Sequence, residues 1–373
     1  MRLSNIYNLG IKELRSLGRD PLMLGLIVFA FTISIYTAAT ALPETLNRAA
    51  ISIVDEDNSP LSSRIAAAFY PPYFLPPRMI TQAEMDARMD AGLDTFAIDI
   101  PPNFQRDVLA GRSPAIQLNV DATRMSQAFT GAGYIQAIIN REVSAFVERY
   151  QSRPTAPVQL VERMRFNPTL ERSWFGAIIE VINNVTMVSV ILTGAALIRE
   201  REHGTIEHLL VMPVRPIEIM LAKILSMGLV VWSACALSLA FVVQGLLSVP
   251  IEGSVMLFLA GAAAHLFATT SLGIFLGTAA RSMPQLGLLI ILVLLPLEML
   301  SGGMTPRESM PEFVQNIMLA APTTHFVLLA QAILYRGAGF DVIYPQFIAL
   351  IAIGAALFAF SLARFRKSLS EIG

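Results

Sequence analysis

Long apolar stretches separated by short polar segments dominate this chain. A helix that crosses about 30 Å of bilayer hydrocarbon needs roughly 20 apolar residues. Six stretches contain a core of that length with at most one charged side chain, and we predict that each spans the membrane. The predicted spans are residues 21–42, 174–198, 218–244, 253–280, 283–303 and 341–363. This pattern predicts an α-helical polytopic membrane protein.

The segment before the first span, residues 1–20, combines apolar and basic positions. The apolar residues recur near helical spacing and the basic residues occupy other positions: Ile6, Leu9, Leu14 and Leu17 against Lys12, Arg15 and Arg19. This pattern favours a helix that lies on the membrane surface. The alternative is an ordinary polar flank beside a membrane span.

Residues 43–173, between the first two spans, differ sharply from the rest of the chain. They hold 28 of the 55 charged residues, namely 13 Arg and 15 acids, with no Lys. This segment is predicted to be a water-soluble domain. Strand and helix patterns alternate along it, which favours a small α/β domain. The predicted strands are residues 49–55, 95–100, 115–121 and 158–166, and the predicted helices are 61–69, 81–92, 104–111 and 126–150.

Residues 304–340, before the last span, are apolar but interrupted by proline. Pro306, Pro311 and Pro322 divide the apolar part into pieces of about ten residues, too short to cross a bilayer. Such pieces suit a re-entrant helical hairpin, which returns the chain to the side from which it came. The last span requires this return.

Lys and Arg near the span ends predict the orientation of the chain. With the N-terminus inside, the cytoplasmic segments hold twelve such residues and the short outer segments hold two, Arg307 and Arg336. Both termini, the tail 364–373 and the segment 199–217 are then cytoplasmic. The domain 43–173 is outside, where a long segment is translocated largely regardless of its charge.

The cytoplasmic segment 199–217 begins with a dense charge cluster. A hydrated loop obeying the positive-inside rule needs only Lys and Arg, yet this segment adds three acids. Paired charges of this kind also suit contact with a soluble partner protein. The candidate contact residues are Arg199, Glu200, Arg201, Glu202, His203, Gly204, Thr205 and Glu207.

Several kinds of chemistry are missing from the sequence. It has no G-x-x-x-x-G-K-[ST] motif for ATP and no H-E-x-x-H motif for zinc. His203 and His208 are five residues apart, off one helical face, so a metal site there is disfavoured. The net charge of −1 gives no reason to expect nucleic acid as a partner. We therefore expect no catalytic residues, no metal and no cofactor on this chain.

Charged residues inside the spans are costly and are usually functional or paired. Glu180 in the second span and Glu298 in the fifth lie at similar depth near the outer side, with Asn183 and Asn184 one turn deeper than Glu180. These four side chains are candidates to line a substrate path. Hydrogen bonding between helices is the alternative. The span centres are otherwise nearly bare, and His265 near the middle of the fourth span is expected to pack or to make one hydrogen bond.

The order of these features resembles the ABC-2 type transporter permeases with a large domain after the first span. ALIREREHGTIEHLLVMPVRPIEIMLAKI at 196–224 is similar to their cytoplasmic coupling element, and FAIDIPPNFQRDVLAGRSPAIQLNVDAT at 96–123 to part of their outer domain. PTTHFVLLAQAILYRG at 322–337 is similar to their re-entrant segment. The resemblance covers nearly the whole chain.

The resemblance implies the membrane subunit of an ATP-driven exporter in the bacterial inner membrane. A separate ATPase subunit would bind ATP and Mg, and this chain would form a homodimer or pair with a related permease. A periplasmic adaptor is a further expected partner, and hydrophobic or amphipathic compounds are the expected substrates. The rival interpretation is a mechanical transmitter that moves its outer domain while nothing crosses the bilayer. A plain receptor or anchor leaves the six spans unexplained.

Overall fold

The computed structural model describes residues 2–40, 48–121, 125–150, 172–202 and 214–370. The chain divides into two compact units. One, the helical unit, comprises Met1–Ala41 and Ser173–Gly373, and the other, the mixed unit, comprises Leu42–Arg172. Each unit has its own hydrophobic core.

The helical unit begins with two helices joined at a tight corner. Helix α1, Leu3–Leu17, turns its buried residues Ile6, Glu13 and Leu17 towards the protein. Helix α2, Pro21–Thr40, follows after three residues, with a π-helical segment in its middle. The Asp20 carboxylate caps the start of α2 by accepting a hydrogen bond of 3.1 Å from the backbone N–H of Met23.

The mixed unit consists of a four-stranded sheet with helices. In chain order its elements are β1 (Ile51–Asp55), α3 (Pro60–Ala67), β2 (Arg78–Met79), α4 (Gln82–Asp90), β3 (Phe96–Ile100), α5 (Phe104–Leu109), β4 (Gln117–Val120) and α6 (Met125–Tyr150). The strand order is β2-β1-β3-β4. β1 pairs parallel with β2 and β3, whereas β4 pairs antiparallel with β3.

Burial on both faces of the central strands explains their composition. Ile51 and Ile53 of β1 belong to the main core with residues of α3 and α6. Val54, on the opposite face, packs with Met85 of α4. The sequences of parallel strands that are covered on both faces are continuous apolar runs. The two-residue strand β2 was missed in the sequence because it is too short and too exposed to show such a run.

Local sequence signals set the ends of the helices in this unit. Helix α4 begins at Gln82 because Thr81 and Glu84 form the capping box that their spacing predicts. Ser59 and Ser62 form an equivalent box at the start of α3. The predicted strand at 158–166 lies outside the described residues.

The remaining elements of the helical unit follow the mixed unit in sequence. They are α7 (Arg172–Glu202), α8 (Pro216–Leu246, whose last eight residues are π-helical), α9 (Val255–Ala279), α10 (Met283–Met299), α11 (Glu312–Met318), α12 (Pro322–Leu334) and α13 (Phe340–Ser370). Among the described residues, α2, α7, α8, α9 and α13 are long and apolar enough to cross a membrane. The chain is thus a mostly helical, multi-pass membrane protein.

The helix in the fifth predicted span ends before the predicted end of that span. We predicted residues 283–303, but α10 ends at Met299 and has 17 residues, which is the lower limit for crossing. Pro296 removes a backbone donor from the last turn of α10. Gly302 then adopts a left-handed φ of 97°, which helical residues do not have.

The proline-rich segment before α13 forms two short helices rather than one. Helices α11 and α12 meet at an angle of 90°, and Pro322 occupies the first position of α12. Most of α12 is buried within the helical unit. Phe326 of α12 stacks against His265 of α9, with ring centroids 4.2 Å apart. His265 also makes a hydrogen bond of 2.8 Å with Thr186, so the expectation that this histidine packs within the protein is confirmed.

Helices α7 and α9 cross at close range through small residues. A Cβ on Gly273 would lie 2.1 Å from Thr193 Oγ1 and 2.7 Å from the carbonyl oxygen of Val190. One turn away, the Ser189 hydroxyl donates a hydrogen bond of 2.7 Å to Thr269 Oγ1. Small residues permit close backbone approach in membranes, and polar side chains then add hydrogen bonds between the helices.

We predict that Gly273→Ala destabilises the helical unit. The new methyl group meets a backbone oxygen that cannot move aside cheaply, so the expected cost is ~1–3 kcal/mol. Thermal unfolding of the detergent-solubilised protein measures this cost. Gly287→Ala is the matched control, because a Cβ there meets no atom within 4 Å. Equal losses for the two variants would contradict the assigned packing.

Candidate functional site

The charged residues predicted to meet a partner protein divide into two groups. Residues 199–202 form the last turn of α7. His203, Gly204, Thr205 and Glu207 lie outside the described residues. Helix α7 therefore continues four residues beyond the predicted end of the second span at 198, and it carries the first four charges.

Glu200 belongs to a cluster of four charges from three helices, of which three are buried. Lys223 Nζ of α8 lies 2.8 Å from Glu200 Oε2 and 2.9 Å from Glu13 Oε1. Lys12 Nζ of α1 approaches Glu200 Oε1 to 2.5 Å. Two acids and two bases thus tie α1, α7 and α8 together, and we call these four residues the ionic cluster.

Lys223 is buried although it lies at the edge of an apolar run, where a lysine commonly extends along the helix towards water. Its side chain is only 2% exposed, because α1 covers it. Two carboxylates compensate a charge that would otherwise be costly to bury.

Glu13 lies on the protein-facing side of α1, beside Lys223. Burial raises the pKa of the Glu13 carboxyl above its ordinary value, while Lys223 opposes that rise. The negative charge of Glu200 adds to the rise. The two acids are held close to each other because Lys223 lies between them and Lys12 pairs with Glu200.

Glu218 fastens the other end of α1 to α8. Its carboxylate accepts hydrogen bonds from the backbone N–H of Arg2, at 2.6 Å, and from the side-chain amide of Asn5, at 3.1 Å. The backbone N–H of Arg215 donates to the same carboxylate at 3.1 Å. One acid therefore caps the starts of both α1 and α8.

The other charges of the last turn of α7 are also engaged within the chain. Arg199 donates to Asp20 at 2.6 Å, at the corner between α1 and α2. Arg201 donates to the carbonyl oxygen of Ala280 at 2.7 Å, and Glu202 accepts from the backbone N–H of Met283 at 3.2 Å. These charges join the end of α7 to its neighbours, which the sequence did not indicate.

A second polar cluster surrounds Glu180, in the N-terminal third of α7. The Ser34 hydroxyl of α2 donates a hydrogen bond of 2.6 Å to Glu180 Oε1. The Asn184 amide donates to the carbonyl oxygen of Ala30 at 2.9 Å and to Glu180 at 3.3 Å. Asn183 is half-buried and makes no side-chain hydrogen bond to another described residue.

Glu298 on α10 lies within electrostatic range of Glu180, so the structure brings the two predicted acids near each other. Its Oε1 atom is buried and has no hydrogen-bond partner among the described residues. Glu298 lines a cavity of 450 Å³ between α2, α7 and α10. The other lining residues are apolar: Met23, Met187, Ile191, Ala195, Met283, Leu286, Gly287, Ile290, Ile291, Leu294 and Leu295. We call this cavity the apolar groove.

One helix connects the two clusters. Glu180 and Glu200 are 20 residues apart on α7, which corresponds to about 30 Å along a helix. The sequence identified Glu180 and Glu200 but missed Glu13, Lys223 and Ser34 as their partners. The sequence could have indicated that Glu13 is buried and paired, because it lies on the same helical face as Ile6 and Leu17, where an acid is unusual.

Within the ranges that the structure describes, no group of three His, Cys, Asp or Glu side chains is arranged to hold a metal ion. The carboxylates of the ionic cluster are matched by lysines. In the described residues, the ionic cluster is held by ion pairs and the Glu180 cluster by hydrogen bonds.

Comparison with known proteins gives a consistent result along nearly the whole chain. The family model described as ABC-2 family transporter protein matches residues 22–363. The chain is 67% identical over 370 residues to the inner membrane transport permease YhhJ of Escherichia coli K12, covering 99% of both proteins. It is 25% identical over 365 residues to the protein named "Probable multidrug ABC transporter permease YbhR" of the same strain, covering 97% of this chain and 98% of that protein. These matches confirm the family resemblance seen in the sequence: the chain belongs to the ABC-2 family of transporter permeases.

Proposed function

We propose that this chain is the membrane subunit of an ATP-driven exporter of hydrophobic or amphipathic compounds. A separate ATPase subunit hydrolyses ATP with Mg, and this chain carries the translocation path. The observation that carries the proposal is α7, a single helix with the ionic cluster at one end and the Glu180 cluster about 30 Å away. The name of the relative YbhR, which includes "multidrug", supports the substrate class.

The proposed membrane arrangement has six spans and a re-entrant hairpin. Helices α2, α7, α8, α9, α10 and α13 cross the bilayer, and α11 with α12 enters and returns. Burial of α12 inside the helical unit supports the hairpin, because a short helix at membrane depth must be covered by protein. Both termini are cytoplasmic in the bacterial inner membrane, and the mixed unit is periplasmic.

The orientation can be tested with cysteine labelling. We expect a membrane-impermeant maleimide to label Asp90→Cys from the periplasmic side of spheroplasts. Arg366→Cys should be labelled only after permeabilisation. Both positions are exposed, and the native Cys235 is buried, so background labelling is low. Labelling of position 90 from the cytoplasm alone would refute the proposed topology.

The ATPase contact is proposed to lie at the segment that begins with residues 199–207. Because Arg199, Glu200, Arg201 and Glu202 are engaged within the chain, their proposed role is to hold the base of this segment. His203, Gly204, Thr205 and Glu207 are then the proposed contact residues. Movement imposed on them reaches α1, α2, α8, α9 and α10 through the bonds of the last turn of α7.

Reversal of one contact charge tests this assignment. We expect Glu207→Lys to reduce permease-stimulated ATP hydrolysis by the co-purified ATPase roughly tenfold, equivalent to ~1.4 kcal/mol of coupling. Glu252→Lys is the matched control, since Glu252 is exposed and lies beyond α8, on the side opposite to the proposed contact. Membrane insertion should be unchanged in both variants. An equal effect of the two reversals would argue against a contact at Glu207.

The path is proposed to follow the apolar groove and to pass Glu298 and Glu180 near its outer end. Asn183 and Asn184 extend this polar region one turn inward. A groove open along one side is completed by a second copy of the chain or by a related permease. A periplasmic adaptor is the proposed partner of the mixed unit. The rival function, mechanical transmission without transport, is disfavoured by the buried Glu298 Oε1 in the groove, which has no hydrogen-bond partner in the described part of the chain.

Neutralisation of Glu298 distinguishes a path from a structural contact. We expect Glu298→Gln to reduce the ATPase stimulation by tetraphenylphosphonium, a lipophilic cation, roughly fivefold or more, because an attraction of ~1 kcal/mol or more is lost. Stimulation by neutral triphenylphosphine oxide should change little. Thermal stability should be kept, since Glu298 Oε1 accepts no hydrogen bond from the described residues.

Glu180→Gln is the companion variant. Its oxygen accepts bonds from Ser34 and Asn184, so a loss of thermal stability is expected there. Equal losses of stimulation by the cation and by the neutral compound in Glu298→Gln would contradict a path lined by this acid.

A further inference from the structure

A polar cavity lies at the corner where α1 turns into α2. It has a volume of 480 Å³ and is bounded by the second half of α1, the first residue of α2 and the end of α7. The residues that line it are Lys12, Glu13, Ser16, Arg19, Asp20, Pro21, Ala196, Arg199 and Glu200. We call it the corner cavity, and it is separate from the apolar groove that carries the proposed path.

The acids that line the corner cavity already have cationic partners. Asp20 pairs with Arg199 at 2.6 Å. Glu13 and Glu200 are matched by Lys223 and Lys12 in the ionic cluster. Arg19 is the lining cation that makes no side-chain hydrogen bond or ion pair with another described residue, and it is exposed. Among the described residues, the corner cavity therefore contains one positive charge that no carboxylate compensates.

Three side-chain donors, two on α1 and one just after its end, line the corner cavity and can bind the same anion. Lys12 and Ser16 lie one turn apart on α1. Arg19 follows two residues after α1 ends, and all three line the corner cavity. The Lys12 side chain remains 46% exposed although it pairs with Glu200. An ammonium, a hydroxyl and a guanidinium match the oxygens of a phosphodiester, which accepts several charge-assisted hydrogen bonds.

The surroundings of the corner cavity are apolar on the side of α2. Pro21 and Ala196 line the cavity, and Leu22, the sequence neighbour of Pro21, extends apolar surface away from it. Leu22 is 71% exposed. Leu24, two residues further along α2, is also exposed. A molecule with an anionic head and hydrocarbon tails fits such a boundary better than a free anion.

We infer that the corner cavity binds the headgroup of an anionic phospholipid from the inner leaflet. The phosphodiester lies against Arg19, Lys12 and Ser16, and the acyl chains run beside α2. Basic pockets between helices at the cytoplasmic side of membrane proteins recognise such headgroups. The inference uses the proposed placement of α1 at the inner surface, but it does not depend on export.

Binding at this position has a structural consequence. Arg199 and Glu200 line the corner cavity and also form the last turn of α7, directly before the proposed ATPase contact. A bound headgroup would add further contacts between α1 and this turn. Anionic lipid is thus expected to stabilise the helical unit.

Thermal unfolding of the full-length, delipidated protein in a neutral detergent tests the inference. The probes are phosphatidylglycerol, phosphatidylcholine with the same acyl chains, and inorganic phosphate. We expect phosphatidylglycerol to raise the midpoint of unfolding by several degrees more than phosphatidylcholine does. Native mass spectrometry of the same samples should show at least one retained phosphatidylglycerol per chain.

Two arginines of the same region supply the matched variants. Arg19→Gln should lose at least half of the extra shift caused by phosphatidylglycerol, and Arg19→Lys should keep most of it. Arg15→Gln removes the same charge from an exposed position that does not line the corner cavity, so it should keep the full shift. Both arginines are exposed, so the folded state should persist in each variant.

Three results would overturn the inference. Equal loss in Arg19→Gln and Arg15→Gln would indicate diffuse attraction to a charged surface. An equal shift by phosphatidylcholine would show that the headgroup charge is irrelevant. A full shift by inorganic phosphate alone would indicate an anion site rather than a lipid site. No ATPase or transported compound enters the experiment, so its failure is distinguishable from failure of the proposed export function.

Discussion

Burial of the Lys223 ammonium between two carboxylates is the constraint on which the cytoplasmic end of the helical unit depends. A buried charge without a partner costs several kcal/mol, and α1 and α7 each supply an acid to the lysine of α8. Glu13 and Glu200 lie 2.9 and 2.8 Å from it. Without Lys223, the two buried acids would have Lys12 as their one cationic partner in the cluster. The three helices are therefore held as one body by electrostatics as well as by apolar packing.

Helix α7 is bonded to neighbouring helices at several points along its length. Its last turn bonds to α1, α2, α8, α9 and α10 through Arg199, Glu200, Arg201 and Glu202. Its middle crosses α9 at close range, where Gly273 leaves room for Thr193. Its first half holds Glu180 against Ser34 of α2. A helix fixed at so many points along its length can carry a displacement from one side of the unit to the other with little internal deformation.

The polar groups inside the helical unit serve two different purposes. Thr186, Ser189 and His265 have partners on neighbouring helices, and they hold α7 and α9 together. Glu298 has a buried oxygen without a partner among the described residues and lines a groove of otherwise apolar side chains. Satisfied polar groups stabilise a packed interface, whereas an unsatisfied acid in a groove costs stability and calls for a functional reason. This difference separates the structural polar residues from the candidate path.

The sequence by itself determined the membrane class, most helix positions and the family, because apolar length and local capping signals are properties of consecutive residues. The capping box at Thr81 and Glu84 and the breaks at Pro311 and Pro322 are examples. Only the tertiary structure decided which charges meet. Glu13 and Lys223 are 210 residues apart, and no local pattern pairs them. It also decided that Arg201 and Glu202 bond within the chain, and that Lys223 is buried instead of reaching water, since both depend on how helices from distant parts of the chain pack.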